Sequence, residues 1–558
     1  MKEVILHMLV QFLKKEKFRW LKLSLLYLIL SFLLTFPLLT TPGFFGGWDQ
    51  SFHLNRIVDL TANLRHLHPI SFINTTAFSQ IGLAVNTFYP YLTLLPFAIL
   101  HLIIPNLTLS VNLGLTALLF TNFVCAHIAM TRFTKLAYQD NSVNRPIIFA
   151  IAYGLSGYYI FNLIVRFDLG ECLVMIILPI FAVGLYDILL GDWQRWYWFV
   201  FSATTIAYSH LLSTVIIAFI TVIIVLCSFF KMDHRRQRLL TLCKSSLFIL
   251  INTLFLLIPL ITTASKVDVT SPKLGSLSKQ AMSGFSAFVL STGNVINPKE
   301  ATHGVNLGII ILASILICTI CFKRLSKFGK KMYVCGMFAF FLCTFFFPWK
   351  LFDHTPIRIL QHPWRLLIFV NLFMAGCLSD YLTQLNKRTW QIVSLILMIT
   401  VTFSTIFIYT SRTELKYPTS RLEKLTMQTK YMDYEPVKSH SYLSKIEKHQ
   451  GTIDGRKYVF NKRTPLPDGM LYHIPLASHE QKLDVPFLDY GNLTVSAQNI
   501  RLPSHVSKRG TLCFSLPANS DSISIHYQTP VSFKIAAAIS FSGILFYFYL
   551  WFKFRIKE

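Results

Sequence analysis

Long apolar runs recur from one end of the chain to the other, each of about 20 residues, the length that crosses a bilayer. Between them stand short clusters of Lys and Arg. They are KKEKFRWLK (14–22), TRFTK with NR (131–145), GDWQRW (191–196), HRRQR (234–238), KRLSKFGKK (323–331), NKR (386–388) and KFRIK (553–557). Basic residues are held on the cytoplasmic side, so these clusters set the topology. The pattern predicts a polytopic α-helical membrane protein of about 12 transmembrane helices with both termini inside. The spans fall near 20–40, 108–130, 146–164, 171–190, 195–209, 211–230, 243–263, 305–322, 332–348, 364–384, 389–410 and 531–552. The first run, Leu21–Leu39, is too long for a signal-peptide core and no small-residue cleavage site follows, so it reads as a retained span. One run does not fit this count. YPYLTLLPFAILHLIIP (89–105) carries Pro at both ends, Pro96 inside and His101. It reads as a helix in the outer interface or a re-entrant one, with a full crossing as the alternative.

The outside then holds 41–107, 264–304, 349–363 and 411–530. The last piece starts polar and helical in flavour, then turns to short alternating runs: KYVFN, LYHIPLA, DVPFLDYGNLTVSAQ, TLCFSLP and SISIHYQ. Period-two alternation between Pro, Gly and Asp breaks predicts strands. Three parts are expected: a multi-spanning membrane domain, 1–410, with a first external loop at 41–107; an extracytoplasmic helical linker and small β domain, 411–530; and a final transmembrane helix with a cytoplasmic tail, 531–558. The Gly-, Ser- and Asn-rich 264–304 loop reads either as a mobile lid or as an inert surface loop.

Composition agrees with a membrane chain. Of 558 residues 53% are hydrophobic and only 14% charged, against roughly 25% charged in soluble domains; mean hydropathy is +0.51. The formal charge of +26 lies in the clusters that set topology and attract anionic lipid, so no nucleic-acid partner is expected. Ten cysteines show no disulfide framework, and the CxxC of Cys318 and Cys321 has no partner residues nearby for a metal or redox role.

Ionisable residues at membrane depth are costly, roughly 2.5–3.5 kcal/mol at a helix centre, and so need a partner, a cavity or a task. In this topology they gather at the outer ends of spans. Asp49, His53 and Arg56 in GGWDQSFHLNRI share one helical face. Arg166, Asp168 and Glu171 lie between the third and fourth spans, where Gly170 permits a tight turn. His210 stands in AYSHLLS, and Arg358, Gln361, His362, Trp364 and Arg365 stand in IRILQHPWRLL. Singly each has a structural reading: ion pair, helix cap, core histidine or interface anchor. Together they describe one cavity lined by acids, cations and aromatics.

The order of these pieces resembles the GT-C superfamily of membrane glycosyltransferases. More narrowly it is similar to the bacterial YfhO-like branch, sometimes labelled as carrying a 6-pyruvoyl-tetrahydropterin-synthase-related membrane domain. The matching features run the length of the chain: GGWDQSFHLNRI, FYPYLTLLP, RFDLGE before an apolar run ending in Pro179, SHLLS, QHPWRLL, YMDYEPV and VPFLDYGNLTV. The resemblance implies transfer of a sugar from a polyprenyl-phosphate donor to an extracytoplasmic acceptor, a cell-wall polymer, lipoteichoic acid or surface polysaccharide. It maps the general base or acceptor-positioning acid to Asp49. His53, Arg56, Arg166, Glu171, His210, Gln361, His362, Trp364 and Arg365 are then the expected substrate-binding set, with Arg166, Arg365 and His362 as cations for the phosphate. Many members show two adjacent acids in the first loop, whereas Gln50 follows Asp49 here; that weakens a divalent-metal site, and no cofactor is assigned. A transporter, flippase or polymerase of lipid-linked saccharides is the alternative. A transporter should carry polar groups through to the cytoplasmic half and show internal repeats, and neither is visible.

Overall fold

The computed structural model describes residues 19–40, 44–45, 47–272, 274–292, 305–411, 416–417 and 433–555. The helices that build the membrane part are α1 (Arg19–Thr40), α2 (Gln50–Arg65), α3 (Leu95–Ile103), α4 (Leu107–Phe133), α5 (Asn144–Gly154), α6 (Gly157–Arg166), α7 (Leu169–Leu189) and α8 (Tyr197–Ala207). They continue as α9 (Leu211–Ser228), α10 (Arg235–Ala264), α11 (Gly308–Ile320), α12 (Lys327–Cys343), α13 (Leu367–Thr383), α14 (Lys387–Ser411) and α15 (Val531–Arg555).

Each expected span falls on a helix, but not every helix crosses. Among the described residues seven are long and apolar enough to span, or eight if α5 and α6, bent by 46°, count as one. The chain is a multi-pass membrane protein, and seven or eight of the 12 expected crossings are found among the described residues. At 1.5 Å per residue, α8 with 11 residues and α11 with 13 fall short of the hydrocarbon thickness. The 89–105 run holds a helix over Leu92–Ile103 that is also too short to cross. Sequence hydropathy cannot tell a half-span packed on neighbours from a full one, because both are apolar.

Close packing and a few polar pairs join the spans. Gly157 opens α6 where the backbone of Gly308 approaches; a Cβ there would lie 2.5 Å from the Gly308 Cα. Tyr27 Oη meets His127 Nδ1 at 2.8 Å, and Thr35 meets Thr116 at 2.7 Å, each across α1 and α4. Small residues and interhelical hydrogen bonds are the usual contacts where lipid removes the hydrophobic drive.

Ten strands lie between 450 and 527. They form two five-stranded antiparallel sheets whose buried residues share one apolar cluster. The alternation in SISIHY is realised: Ile523, Ile525 and Tyr527 are buried and Ser522, Ser524 and His526 partly open. Residues 72–88 join the same cluster. Leu488 N–H donates to the Ile81 carbonyl at 2.9 Å, Arg463 Nε donates to Gln80 Oε1 at 3.0 Å, and the Phe487 ring fills the space beside Gly82, whose φ is +75°. The early loop is thus part of the floor of the β region. From the 264–304 loop, Val269 and Thr270 run beside Glu435 and Pro436, with Thr270 N–H donating to the Glu435 carbonyl at 2.8 Å. Residues 273 and 293–304 of that loop, and 412–415 and 418–432 of the expected helical linker, lie outside the described residues.

Candidate functional site

The backbone first brings two distant segments together. The N–H groups of Trp48 and Asp49 donate to the carbonyls of Val165 and Arg166 at 3.1 and 2.8 Å. Gly47 makes this approach feasible, because a Cβ there would sit 2.9 Å from the Phe167 Cβ. Asp49 occupies the N-cap position of α2 but makes no cap hydrogen bond; its carboxylate turns instead toward Arg166 (Oδ2 to Nε, 3.6 Å). The chain reverses after α6 through Phe167, at φ +62°, and not through Gly170. Gly170 has a different use: a Cβ there would lie 2.8 Å from the Ser209 carbonyl oxygen and 3.0 Å from the Tyr89 hydroxyl.

Arg166 is the hub. Its Nη1 donates to Glu171 Oε2 at 2.6 Å and Asn162 Oδ1 at 3.1 Å, and its Nη2 lies 2.8 Å from Asp168 Oδ2. The guanidinium carbon lies 5.2 Å from the Trp364 ring centroid. One cation therefore faces three carboxylates. Asp168 also caps α7 by accepting the Glu171 N–H at 3.0 Å, and Glu171 accepts the Tyr158 hydroxyl. Arg365 Nη1 comes within 3.9 Å of Glu171, and Arg365 Nη2 donates to Gln361 at 2.9 Å. The Nε and Nη1 of Arg365 are buried without a hydrogen-bond partner. His362 stacks on Trp364, with centroids 4.6 Å apart, and contacts Gln280 at 3.2 Å. His210 Nε2 lies 3.9 Å from Asp168. His53 and Arg56 stand behind Tyr89. Arg56 donates to the Tyr89 and Pro90 carbonyls at 2.9 and 2.7 Å, its guanidinium carbon 4.6 Å from the Tyr89 ring centroid. The His53 ring meets the Tyr89 ring edge-on.

The ten expected catalytic and substrate-binding residues and Asp168 thus fall around one place, Arg56 one aromatic ring away from the carboxylates, whereas Arg358 donates to the Leu274 carbonyl outside it. The expected charges differ. Burial drives the His53 and His362 imidazoles down to about 3 and lowers His210 as well, so all three are neutral at pH 7. His362 is therefore no cation for a phosphate. Arg166 is engaged by its three acids; Arg56 has unpartnered Nε and Nη1 donors but stands behind Tyr89, so Arg365 is the cation beside the carboxylates with free donors.

The three acids also differ. The Asp168 and Glu171 side chains are 3% and 1% exposed, whereas that of Asp49 is 40% exposed. Burial works to raise Asp168, but the Arg166 guanidinium overcomes it and holds the carboxyl well below the usual range. Asp49 is pushed up to about 6 by burial against the wall, with Arg166 opposing. Water reaching its open face screens this rise. Among the described residues no group of three or more His, Cys, Asp or Glu is placed to hold a metal ion. The carboxylates do not fit one, since they converge on a guanidinium.

The FYPYL stretch does not by itself mark Tyr89 as a site residue, and sequence reasoning misses it. The Tyr89 hydroxyl donates to Asp168 at 3.5 Å. Sequence reasoning also misses Tyr158, Asn162, Gln280 and Tyr434. Tyr434, at φ +74°, stacks on Phe88 with centroids 5.6 Å apart. Only the fold of the 433–437 segment onto the early loop brings it there, and no local pattern signals that.

An apolar cavity of about 660 Å³ runs down between the helices from Leu366, next to Arg365, past Phe369, Ile217 and Leu178 to Tyr186 and Lys331.

No protein-family model and no curated protein sequence matches the chain. Two solved structures of the arabinofuranosyltransferase AftD from Mycobacteria, one of them a point mutant, are similar at TM-scores of 0.43 and 0.41. Identity is 14% and 15%, and each match covers 72% of this chain. It covers 27% and 28% of theirs, so the chain matches about a quarter of the length of those enzymes.

Proposed function

We propose that the chain is a GT-C-like membrane glycosyltransferase that moves a sugar from a polyprenyl-phosphate donor to an acceptor hydroxyl at the extracytoplasmic face. The observation that carries this reading is the unequal state of the three acids. Two are sealed and ion-paired, while the Asp49 side chain is 40% exposed and has a raised affinity for protons. A base that titrates near the working pH is suited to proton transfer, which contributes roughly 10²–10⁴-fold.

Asp49 accepts the proton of the acceptor hydroxyl as that oxygen attacks the anomeric carbon. The bond from the anomeric carbon to phosphate oxygen breaks, and polyprenyl phosphate leaves with the electron pair. The unpartnered Nε–H and Nη1–H of Arg365 are the donors that meet the charge developing on the phosphate. The prenyl chain lies in the cavity that begins at Leu366. Arg166 fixes Asp49 and does not itself bind phosphate. Trp48 and Trp364 form the aromatic wall, each packed edge-on against Phe161; the part-exposed Trp48 offers a sugar face a stacking surface, while Trp364, 1% exposed and covered by His362, holds the wall together. His210 and His362, being neutral, position substrate by hydrogen bonding, while His53, 1% exposed, supports Tyr89 from behind. In this reading 41–107 is the catalytic external loop and 411–530 is extracytoplasmic; the acceptor is a glycan or wall polymer.

The test is transfer of radiolabelled sugar from a polyprenyl-phosphate donor by purified protein in nanodiscs. Asp49→Asn keeps shape and removes the base; transfer should fall by about two orders of magnitude or more with donor binding retained. In the wild type, kcat/KM should drop as pH falls through the region near 6. Near-normal turnover by the Asn variant returns Asp49 to an ion-pair role.

A further inference from the structure

A second cavity, of about 470 Å³, lies on the far side of the Tyr89–Tyr91 turn, between α8, α10, α15 and the 86–95 segment. Its volume is in the range of ligand pockets. Its wall is mostly apolar and includes Phe201, Leu256, Phe541, Ile544 and Phe548, and Phe541 is 64% exposed. Two of the helices that bound it, α10 and α15, are long and apolar enough to cross a membrane, which puts the cavity among candidate spans.

Three polar atoms on its lining residues are sealed from water and have no hydrogen-bond partner: Asn86 Oδ1, Asn252 Oδ1 and Thr204 Oγ1. Asn86 and Asn252 are 4% and 1% exposed. The Asn86 amide nitrogen already donates to the Ser71 carbonyl at 3.1 Å, which assigns the orphan oxygen as an acceptor. Buried polar groups are nearly always paired, and an orphan calls for an explanation such as an absent ligand. Asn252 Oδ1 lies against Gly543 of α15; Asn86 Oδ1 is an acceptor and Thr204 can serve as one, so the complement is a set of hydroxyl donors. No Asp, Glu, Lys or Arg lines the cavity. The first cavity, by contrast, has Lys331 in its wall and Arg365 beside its Leu366 end. A phosphate head group finds no cation here, whereas an uncharged hydroxyl head does.

We propose that this cavity is a second lipid site, taking the acyl chain of a membrane amphiphile whose uncharged head carries hydroxyl groups, a glyceride or a neutral glycolipid. The head sits at Asn86 and Thr204. There it backs the turn whose Tyr89 faces Asp168 and whose carbonyls are held by Arg56. An occupied site therefore supports the wall of the carboxylate cluster from behind. The proposal concerns binding and stands whether or not sugar transfer is found.

The experiment uses full-length protein in nanodiscs and two photoreactive probes with the same diazirine acyl chain, a diacylglycerol and a phosphatidylcholine. Cross-linked peptides are mapped by mass spectrometry. The diacylglycerol should label the α15 segment around Phe541–Phe548 about fivefold more than the phosphatidylcholine, the preference that one net hydrogen bond supplies. Ala537→Trp, which fills the cavity, should abolish that labelling. Thr204→Val, which keeps volume and loses the hydroxyl, should narrow the preference. Equal labelling by the two probes in the wild type would show lipid at the protein surface only and overturn the proposal. So would labelling that Ala537→Trp leaves unchanged. If Ala537→Trp does not give a monodisperse protein, the Thr204→Val comparison decides, and an unaltered preference there overturns it.

Discussion

Arg166 faces three carboxylates, and Glu171 faces two arginines. Neutralising one or the other should therefore have unequal effects. In Arg166→Met, the sealed Asp168 and Glu171 lose contacts of 2.8 and 2.6 Å. Removing one partner of a buried ion pair costs about 3–5 kcal/mol. Asp49, 40% exposed, adds little. Arg365, 3.9 Å from Glu171, recovers part, so about 4 kcal/mol is expected. Glu171→Gln keeps an oxygen for Arg166 and for the Tyr158 hydroxyl, and it leaves Arg166 paired with Asp168; about 1 kcal/mol is expected. The double variant removes one of the stranded acids and should regain about 1–2 kcal/mol relative to Arg166→Met alone. The assay is the temperature at which half of the monodisperse peak is lost on heating in detergent. The order from least to most stable should be Arg166→Met, the double variant, then Glu171→Gln close to wild type. If Glu171→Gln is as damaging as Arg166→Met, or Arg166→Met is as stable as wild type, the hub assignment fails.

Asp168 is held below the unfolded carboxylate value near 3.9. A depressed folded value means stability that is fully present above about pH 4 and lost as pH falls through the folded value. Asp168→Asn should lower stability at pH 7 and flatten the acid limb of an unfolding profile; an unchanged acid limb would refute the pairing. Gly170→Ala places a Cβ against the Ser209 carbonyl and the Tyr89 hydroxyl, so it should lower transfer with normal insertion, read from membrane levels and turnover together. For topology, Cys513 and Ser439 are buried and report nothing. Lys457→Cys, exposed in the β region, should react with an impermeant thiol reagent on intact cells, and Lys327→Cys should not; reaction at 327 from outside reverses the assignment.

The chain itself determined the class of molecule, because a run of some 20 apolar side chains has no cheap alternative to lipid, and the Lys and Arg clusters divide the loops. The period-two run through Ile523 and Ile525 determined strands for a similar reason: alternate side chains must face opposite sides of a sheet. The cost of ionised groups at membrane depth was enough to select Asp49, Arg166, Glu171, His210 and Arg365 before their contacts were known. What it left open was which of them are charged, which are spent and which are free. A histidine reads the same in a sequence whether burial neutralises it, as at His362, or a carboxylate protonates it. Arg166 became a hub and Arg365 a free donor only when α6, α7 and the 361–366 turn met. Tyr434 joined the site only because 433–437 pairs with 268–270 and lies on Phe88. Such roles depend on distances between segments hundreds of residues apart, and those are set by packing of the whole molecule rather than by any local pattern.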